Sequence, residues 1–367
     1  MLTADQITAL GDRAEQIISP IVEYLIGDIA ERISEAGQLT SSASYQVWRM
    51  QQLGVSQKEL KKELRKRLRV SERELERLIT QSAKVGYDFD LKNFPHTAAV
   101  SFAENEAVQQ FVQAAVELAQ EDLTNMVQTL GVVCPDGTAR TLTTAYRNAC
   151  DFAFQKVSLG AQDFHSAVRQ AVRGLREKGI VTIDYESGVH TEIGAAVRRS
   201  VMGGMGLLQE QISRQNHDDF GCNGWEISAH AASAPDHEPI QGRQYSDAEY
   251  NALNSSLVRR IGTLHCGHES FPIILGVDSP QYSERELAAM RAENEKGIDY
   301  DGRHYTLYGA TQRQRRLERA IRTRKRSILI DEKTGDEERL TKDQIKYVRL
   351  QDEYKRFSKA AGLRTQQ

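Results

Sequence analysis

The chain has 367 residues and a mass of 41.3 kDa, which exceeds one small domain and predicts two or three folding units. Hydrophobic residues make up 40% of it and charged residues 27%, a composition that describes a globular protein and excludes a disordered chain. The formal net charge of −3 excludes a uniformly basic nucleic-acid-binding protein but leaves room for local basic patches.

The first residues predict a helix with a defined start. Thr3 and Gln6 have capping-box spacing, because the hydroxyl and the amide can satisfy each other's free backbone N–H groups. Apolar residues then recur at steps of three and four, which is typical of the buried face of a helix. These residues are Ile18, Val22, Leu25, Ile29 and Ile33.

Residues 53–79 imitate a helix-turn-helix motif. Two capping boxes, Ser56 with Glu59 and Ser71 with Glu74, predict that two short helices begin there. A recognition helix would need base-contacting side chains at its start, whereas the carboxylates found there would be repelled by phosphate. An ordinary helical hairpin is therefore favoured over the fold of a DNA-binding regulator.

The centre of the chain predicts further helices and a short strand. Alternating β-branched residues over 180–185 indicate the strand. A helix over 191–211 contains the interruption Gly203-Gly204-Met205-Gly206, which predicts either a close approach of another backbone segment or a kink.

Composition changes near residue 216, where turn-rich sequence and histidines replace the helical pattern. Asp301-Gly302 indicates a β-hairpin turn, and the C-terminus returns to helix over 311–329 and 341–360. The predicted fold is mainly α, with a multi-helix N-terminal region, a small irregular α+β His/Cys module and long C-terminal helices. The predicted units are an N-terminal helical region 1–85, a central helical domain 86–215, the His/Cys module 216–310, and basic C-terminal helices 311–367.

Three features bear on where the protein is made. No apolar run approaches the roughly 18 residues that a membrane span requires. The N-terminus has no basic flank or apolar block, so we expect no secretion signal. The four cysteines are too scattered to form a disulfide framework, which predicts synthesis in a reducing cytoplasm.

The His/Cys module holds the residues most suited to chemistry. Two histidines separated by six residues are followed, after a gap of nearly thirty, by a Cys-x-His pair, and two such ligand pairs joined by a loop can assemble a tetrahedral zinc site. The metal would stabilise a module that has few apolar residues. Histidines that merely hydrogen bond to the backbone are the alternative. The predicted ligands of this structural zinc are His230, His237, Cys266 and His268.

A catalytic interpretation uses part of the same segment. Asp236-His237 followed by Pro239 resembles the Asp-His-x-Pro of HNH-like nucleases, in which a histidine activates water beside a bound metal. His237 would then be the general base, and Asp236 and His268 would hold the metal. No glycine-rich phosphate loop, nucleophile elbow or His-Glu-x-x-His helix is present.

A strongly basic helix follows the module. Its cations cover most of the circumference, and Glu318 is the single acid among them, which favours an external partner over a merely solvated helix. Such a helix can bind phosphates or an acidic protein surface. The predicted binding residues are Arg313, Arg315, Arg316, Arg319, Arg322, Arg324, Lys325 and Arg326.

The last 180 residues resemble the phage minor capsid protein 2 family of tailed bacteriophages. The resemblance depends on several motifs in order, while the helical first half is similar in layout only. These motifs are Trp225 to His230, His237 with Gln241-Gly242-Arg243, Cys266-Gly267-His268 before Phe271-Pro272, the helix from Gln314 to Arg322, and the end from Tyr354 to Leu363.

The resemblance implies a virion structural protein inside the phage head, associated with the portal protein and the major capsid protein. It implies a role in head morphogenesis or DNA packaging, with packaged DNA as a further partner, and synthesis in the host bacterial cytoplasm. The central cluster is also similar to the Cys/His module of Mu F-like head morphogenesis proteins, which implies the same four ligands. His265 stands where the family has a polar amide, so a substitute ligand, a supporting partner and no role all remain open.

Overall fold

The computed structural model describes residues 2–39, 41–93, 100–134, 136–183, 189–263 and 266–365, without the side chains of residues 50, 52–61 and 93. Within them the chain is mainly helical, as predicted. The helices are α1 (Ala4–Gln38), α2 (Ser42–Asn93), α3 (Glu106–Gln128), α4 (Leu142–Ser158), α5 (Phe164–Ala171), α6 (Arg173–Glu177), α7 (Ile193–Asp219), α8 (Asp247–Ser256), α9 (Glu284–Lys296), α10 (Leu307–Thr334) and α11 (Glu337–Ala360). None of the described helices combines the length and the apolarity that a membrane span requires.

Short strands form three small antiparallel sheets. Their orders are β2-β1-β3-β4, β6-β5-β7 and β8-β9. The strands are β1 (Leu130–Val133), β2 (Ala139–Thr141), β3 (Val181–Ile183), β4 (His190–Glu192), β5 (Gly224–Ile227), β6 (Gln244–Ser246), β7 (Ser270–Ile273), β8 (Ile298–Tyr300) and β9 (Arg303–Tyr305). β3 is the strand predicted over 180–185, and the predicted hairpin turn joins β8 to β9 through Asp301 and Gly302, both with positive φ.

Helix α1 confirms the predicted cap and buried face. The Thr3 hydroxyl accepts a hydrogen bond from the Gln6 backbone N–H, and the Gln6 side chain accepts one from Thr3 in return. Ile18, Leu25 and Ile33 are fully buried in the largest core. This core also includes side chains from α2, α3, α4 and α7, so the first two predicted units contribute to one apolar interior.

The prediction of two helices within residues 53–79 is wrong. One uninterrupted helix, α2, runs through the whole segment, so it forms neither a helix-turn-helix nor a hairpin. Ser71 does not cap a helix start, because its hydroxyl donates to the backbone oxygen of Ile17 in α1 at 2.9 Å. A tertiary contact has replaced the local cap that the spacing suggested. The predicted unit boundary after residue 85 also falls inside α2.

The glycine-rich part of α7 provides a close backbone approach, one of the two predicted alternatives. A Cβ atom at Gly206 would lie 1.7 Å from the carbonyl oxygen of Gly262, whereas Gly203 and Gly204 have open space at the same position. The helix therefore packs directly against the turn that precedes Cys266. This contact fixes one side of the His/Cys module.

The C-terminal helices form a hairpin held to α6 by buried charges. Gly335 ends α10 in the left-handed conformation, and α11 begins after it. The guanidinium of Arg176 is paired with Asp331 of α10 and lies 3.5 Å from a carboxylate oxygen of Asp343 in α11. Buried groups of opposite charge orient the hairpin against the helical core.

Candidate metal centre

The small sheet of the module places the predicted ligands next to one another. β5 and β7 are antiparallel, with Ile227 opposite Ser270, so the end of β5 lies beside the start of β7. His230 follows β5 and His268 precedes β7, and this register brings them to the same edge. His237 reaches the edge from a turn in which its backbone N–H donates to Ala234.

Three of the four predicted ligands converge. His237, Cys266 and His268 offer donor atoms within 4.8 Å of one another, and all three residues are buried. The Cys266 Sγ atom lies 3.2 Å from His237 Nδ1 and 3.4 Å from His268 Nδ1. Zn–S and Zn–N bonds of about 2.3 and 2.05 Å in a tetrahedron place such donors about 3.5 Å apart. This group can therefore hold a metal ion.

Hydrogen bonds to the outer ring nitrogens orient both histidines. His237 Nε2 lies 2.8 Å from the backbone oxygen of Arg259, and His268 Nε2 lies 2.9 Å from Gln241 Oε1. Because these partners are acceptors, each Nε2 carries the proton, and each Nδ1 presents a lone pair toward Cys266. The Gln241 side chain was not among the predicted site residues, although its acceptor chemistry suits this position.

His230 lies beside the group without belonging to it. Its ring packs against the ring of His268 with centroids 4.4 Å apart. Its Nε2 atom is buried and has no hydrogen-bond partner among the described residues, while its backbone N–H donates to Gln241. A buried ring nitrogen without a partner is unfavourable, so the Nε2 atom of His230 is available to bind a metal ion or a hydrogen-bond donor. The other candidate, His265, lies outside the described residues.

Burial favours the uncharged forms of these groups. It lowers the pKa of His230 to about 4, lowers that of His237, and lowers that of His268 well below its ordinary value. Neutral imidazole is the form that binds metal. Burial raises the pKa of the Cys266 thiol, although the His268 backbone N–H donates to Sγ and partly offsets this effect.

The same geometry does not favour a nuclease. The side chain of His237 is 1% exposed, and both of its ring nitrogens already contact protein atoms. A general base must reach the water or the substrate from which it takes a proton. Asp236, which the nuclease interpretation assigns to the metal, is instead paired with the guanidinium of Arg259 at 2.7 Å.

The predicted basic helix, α10, is largely neutralised by acids from other elements. The sequence shows one acid among the cations, but the fold brings carboxylates from α1, α11 and the start of α7 against them. The ion pairs are Arg313–Glu353 (3.7 Å), Arg322–Glu15 (2.9 Å), Arg324–Asp343 (2.7 Å) and Arg326–Glu192 (3.5 Å). Arg315 is half-buried, and burial lowers its pKa. Arg316, Arg319 and Lys325 are exposed and form no recorded ion pair with described residues.

Fold and site together define a mainly helical protein with a small α+β module closed around a buried His/Cys group. The chain belongs to the phage minor capsid protein 2 family, whose sequence profile matches residues 2–359. This match confirms the resemblance found in the last 180 residues and extends it through the helical first half. No match was found among curated proteins or among solved structures. Membership of this family indicates a structural role in a phage.

Proposed function

We propose that the protein is a structural component of the interior of a tailed-phage head, made in the host cytoplasm and associated there with the portal protein and the major capsid protein. It assists head morphogenesis or DNA packaging. The family match over residues 2–359 is the observation that carries this proposal. The buried His/Cys group supports it, because a closed site suits stabilisation better than turnover.

The proposal includes one structural zinc per chain. His237, Cys266 and His268 would provide three ligands, and His230 is the best placed fourth because its Nε2 lacks a partner. Among the described residues, the module's own apolar cluster has five buried members, and one of them is Cys266 itself. A metal at this edge would stabilise a module that so small a core supports weakly.

The exposed cations of α10 are the remaining candidates for partner binding on that helix. Arg316 and Arg319 lie three residues apart on one face, where they can meet an acidic patch on a capsid protein or packaged DNA. The five other cations predicted to bind now stabilise the fold through internal pairs or burial. Three charges are therefore available to a partner where the sequence predicted eight.

A test of the head assignment uses phage whose copy of this gene carries an affinity tag. Purified virions should contain the protein at low copy number, and mild disruption of heads should recover it with the portal protein. Removal of the gene should give portal-containing heads that are misassembled or unfilled. Full particles of normal infectivity lacking the protein would contradict the proposal.

A further inference from the structure

A second basic surface lies on α2, away from the His/Cys group. Its cations recur along about four helical turns, and all of them are exposed. They are Lys62, Arg65, Lys66, Arg69, Arg73 and Arg77, here named the α2 basic stripe. At 3.6 residues per turn they fall within an arc of about 120°, and at 1.5 Å per residue the stripe is about 22 Å long.

The packing of α2 holds this stripe toward solvent. On the opposite face of the helix, Leu75 and Leu78 are buried in the main core, and Leu64 and Leu68 pack against it. The hydroxyl of Ser71 is bonded to α1 on the same side. Because the apolar face fixes the rotation of the helix, the cations cannot turn inward.

The fold does not neutralise the stripe as it neutralises α10. None of the six cations forms a recorded ion pair with a described residue, although their neighbour Arg67 pairs with Glu63 at 2.9 Å. Alongside lies a groove of about 550 Å³ between α1 and α2, lined by Lys66 and Arg77 and, from α1, by Arg13. Glu63 and Glu74 line the same groove. Arg13 is also exposed and adds one more cation to the same surface.

We propose that the α2 basic stripe binds the phosphate backbone of double-stranded DNA without sequence selectivity. A length of about 22 Å covers six or seven base pairs at 3.4 Å each, so several cations can meet phosphates at once. Phosphate contacts of this kind position DNA but do not read its sequence. Glu72, Glu74 and Glu76 lie among or beside the cations and would oppose insertion into a groove.

An acidic protein is the less suitable partner for this face. Protein interfaces have a buried core of apolar and aromatic side chains, and the only exposed large apolar side chain beside the stripe is Val70 among the described residues. Long, exposed cations at regular spacing, with no recorded ion pair to a described residue, suit a uniform polyanion instead. The inference depends neither on the zinc proposal nor on the position of the protein in the head.

The test measures binding of the full chain to a random-sequence duplex of about 30 base pairs over a range of salt concentrations. Arg65→Gln, Arg69→Gln and Arg73→Gln are combined in one variant. We expect about tenfold or greater loss of affinity at low salt, and a salt-dependence slope smaller by about 2.7, because each phosphate contact contributes about 0.9. Glu76→Gln, which removes an acid from the stripe, should raise the affinity.

A matched triple variant removes the same charge elsewhere. Lys346→Gln with Lys355→Gln and Lys359→Gln changes exposed cations of α11. It should bind nearly as the unmodified chain does. No duplex binding by the unmodified chain, full retention by the α2 variant, or equal loss in the α11 variant would overturn the proposal. Competition by polyglutamate equal to that of DNA per charge would also overturn it and indicate an acidic protein partner.

Discussion

The backbone oxygen of Arg259 lies 2.8 Å from His237 Nε2 and thereby determines which nitrogen of that ring faces Cys266. An imidazole that donates from Nε2 keeps Nδ1 free of a proton. Gln241 performs the same task for His268 with its side-chain oxygen. Two histidines are thus oriented toward one sulfur by two acceptors of different origin, one from the backbone and one from a side chain.

Metal content is the first prediction. The purified chain should contain one zinc, because two oriented imidazoles and a thiol are already within 4.8 Å of one another. Cys266→Ser should lose the metal, whereas Cys134→Ser, which changes a cysteine next to β1, should keep it. Elemental analysis measures the content, and chelation should lower the melting temperature of the unmodified chain. A chain that is purified without metal, and whose melting temperature does not change when a chelator is added, would contradict the zinc proposal.

Gln241→Ala should weaken metal binding without removing a ligand. The change deletes the closer acceptor for His268 Nε2 and the acceptor for the His230 backbone N–H, so the ring is held less firmly by the Ser233 hydroxyl alone, 3.3 Å away. Loss of such an outer partner typically costs about 10- to 100-fold in metal affinity. Competition with a chromogenic chelator measures it, with Gln113→Ala on the exposed face of α3 as the control. Equal zinc affinity in both variants would show that Gln241 has no positioning role.

The long periodic helices were predictable, and so was the proximity of three of the four candidate ligands, for different reasons. α1 and the C-terminal helices have local caps and apolar faces that agree, so sequence spacing was sufficient. The candidate ligands could be selected because two pairs of imidazole and thiol groups joined by a loop is a pattern that can assemble a zinc site. Which three would converge depended on the antiparallel pairing of β5 with β7, and the Arg259 backbone acceptor has no side-chain signal at all.

The errors arose where a distant segment replaced a local partner. Ser71 has the spacing of a helix cap, but its hydroxyl donates a hydrogen bond to the backbone oxygen of Ile17 in α1, and α2 continues through it. Glu318 is the single acid among the basic residues predicted on α10, but Glu15 and Glu192 pair with Arg322 and Arg326 from segments more than 130 residues away. Local spacing cannot show such partners, because they depend on how helices pack.

Gly206→Ala should destabilise the protein, whereas Gly203→Ala should not. A Cβ atom at Gly206 would lie 1.7 Å from the Gly262 carbonyl oxygen, so α7 and the turn before Cys266 must separate. Overpacking of this kind costs about 1–3 kcal/mol. The control position has open space, and an alanine inside a helix is favoured over glycine by about 1 kcal/mol. Urea unfolding of both variants measures the difference, and equal stabilisation in the two would refute the close contact.

Stability should depend on pH through Asp90, a buried carboxyl of α2 that accepts hydrogen bonds from Ser213 and Asn216 of α7. Burial raises its pKa to about 6 from the ordinary 3.8, although these two bonds partly oppose the change. The folded state therefore holds the proton more tightly than the unfolded state does. The stabilisation that protonated Asp90 provides is complete below pH 3.8 and is lost as pH rises through about 6. The total change in the free energy of unfolding is about 3 kcal/mol.

Asp90→Asn should abolish this part of the pH dependence, because the amide oxygen can accept a hydrogen bond from Asn216 and does not titrate. Relative to the unmodified chain, the variant should become more stable by about 2 kcal/mol between pH 4 and pH 7. Asp88→Asn, which changes an exposed carboxylate paired with Lys84 on the same helix, should show no such trend. Urea unfolding at a series of pH values measures both. A stability difference between Asp90→Asn and the unmodified chain that stays constant with pH would contradict this prediction. It would mean that the Asp90 carboxyl has the same pKa in the folded and the unfolded states.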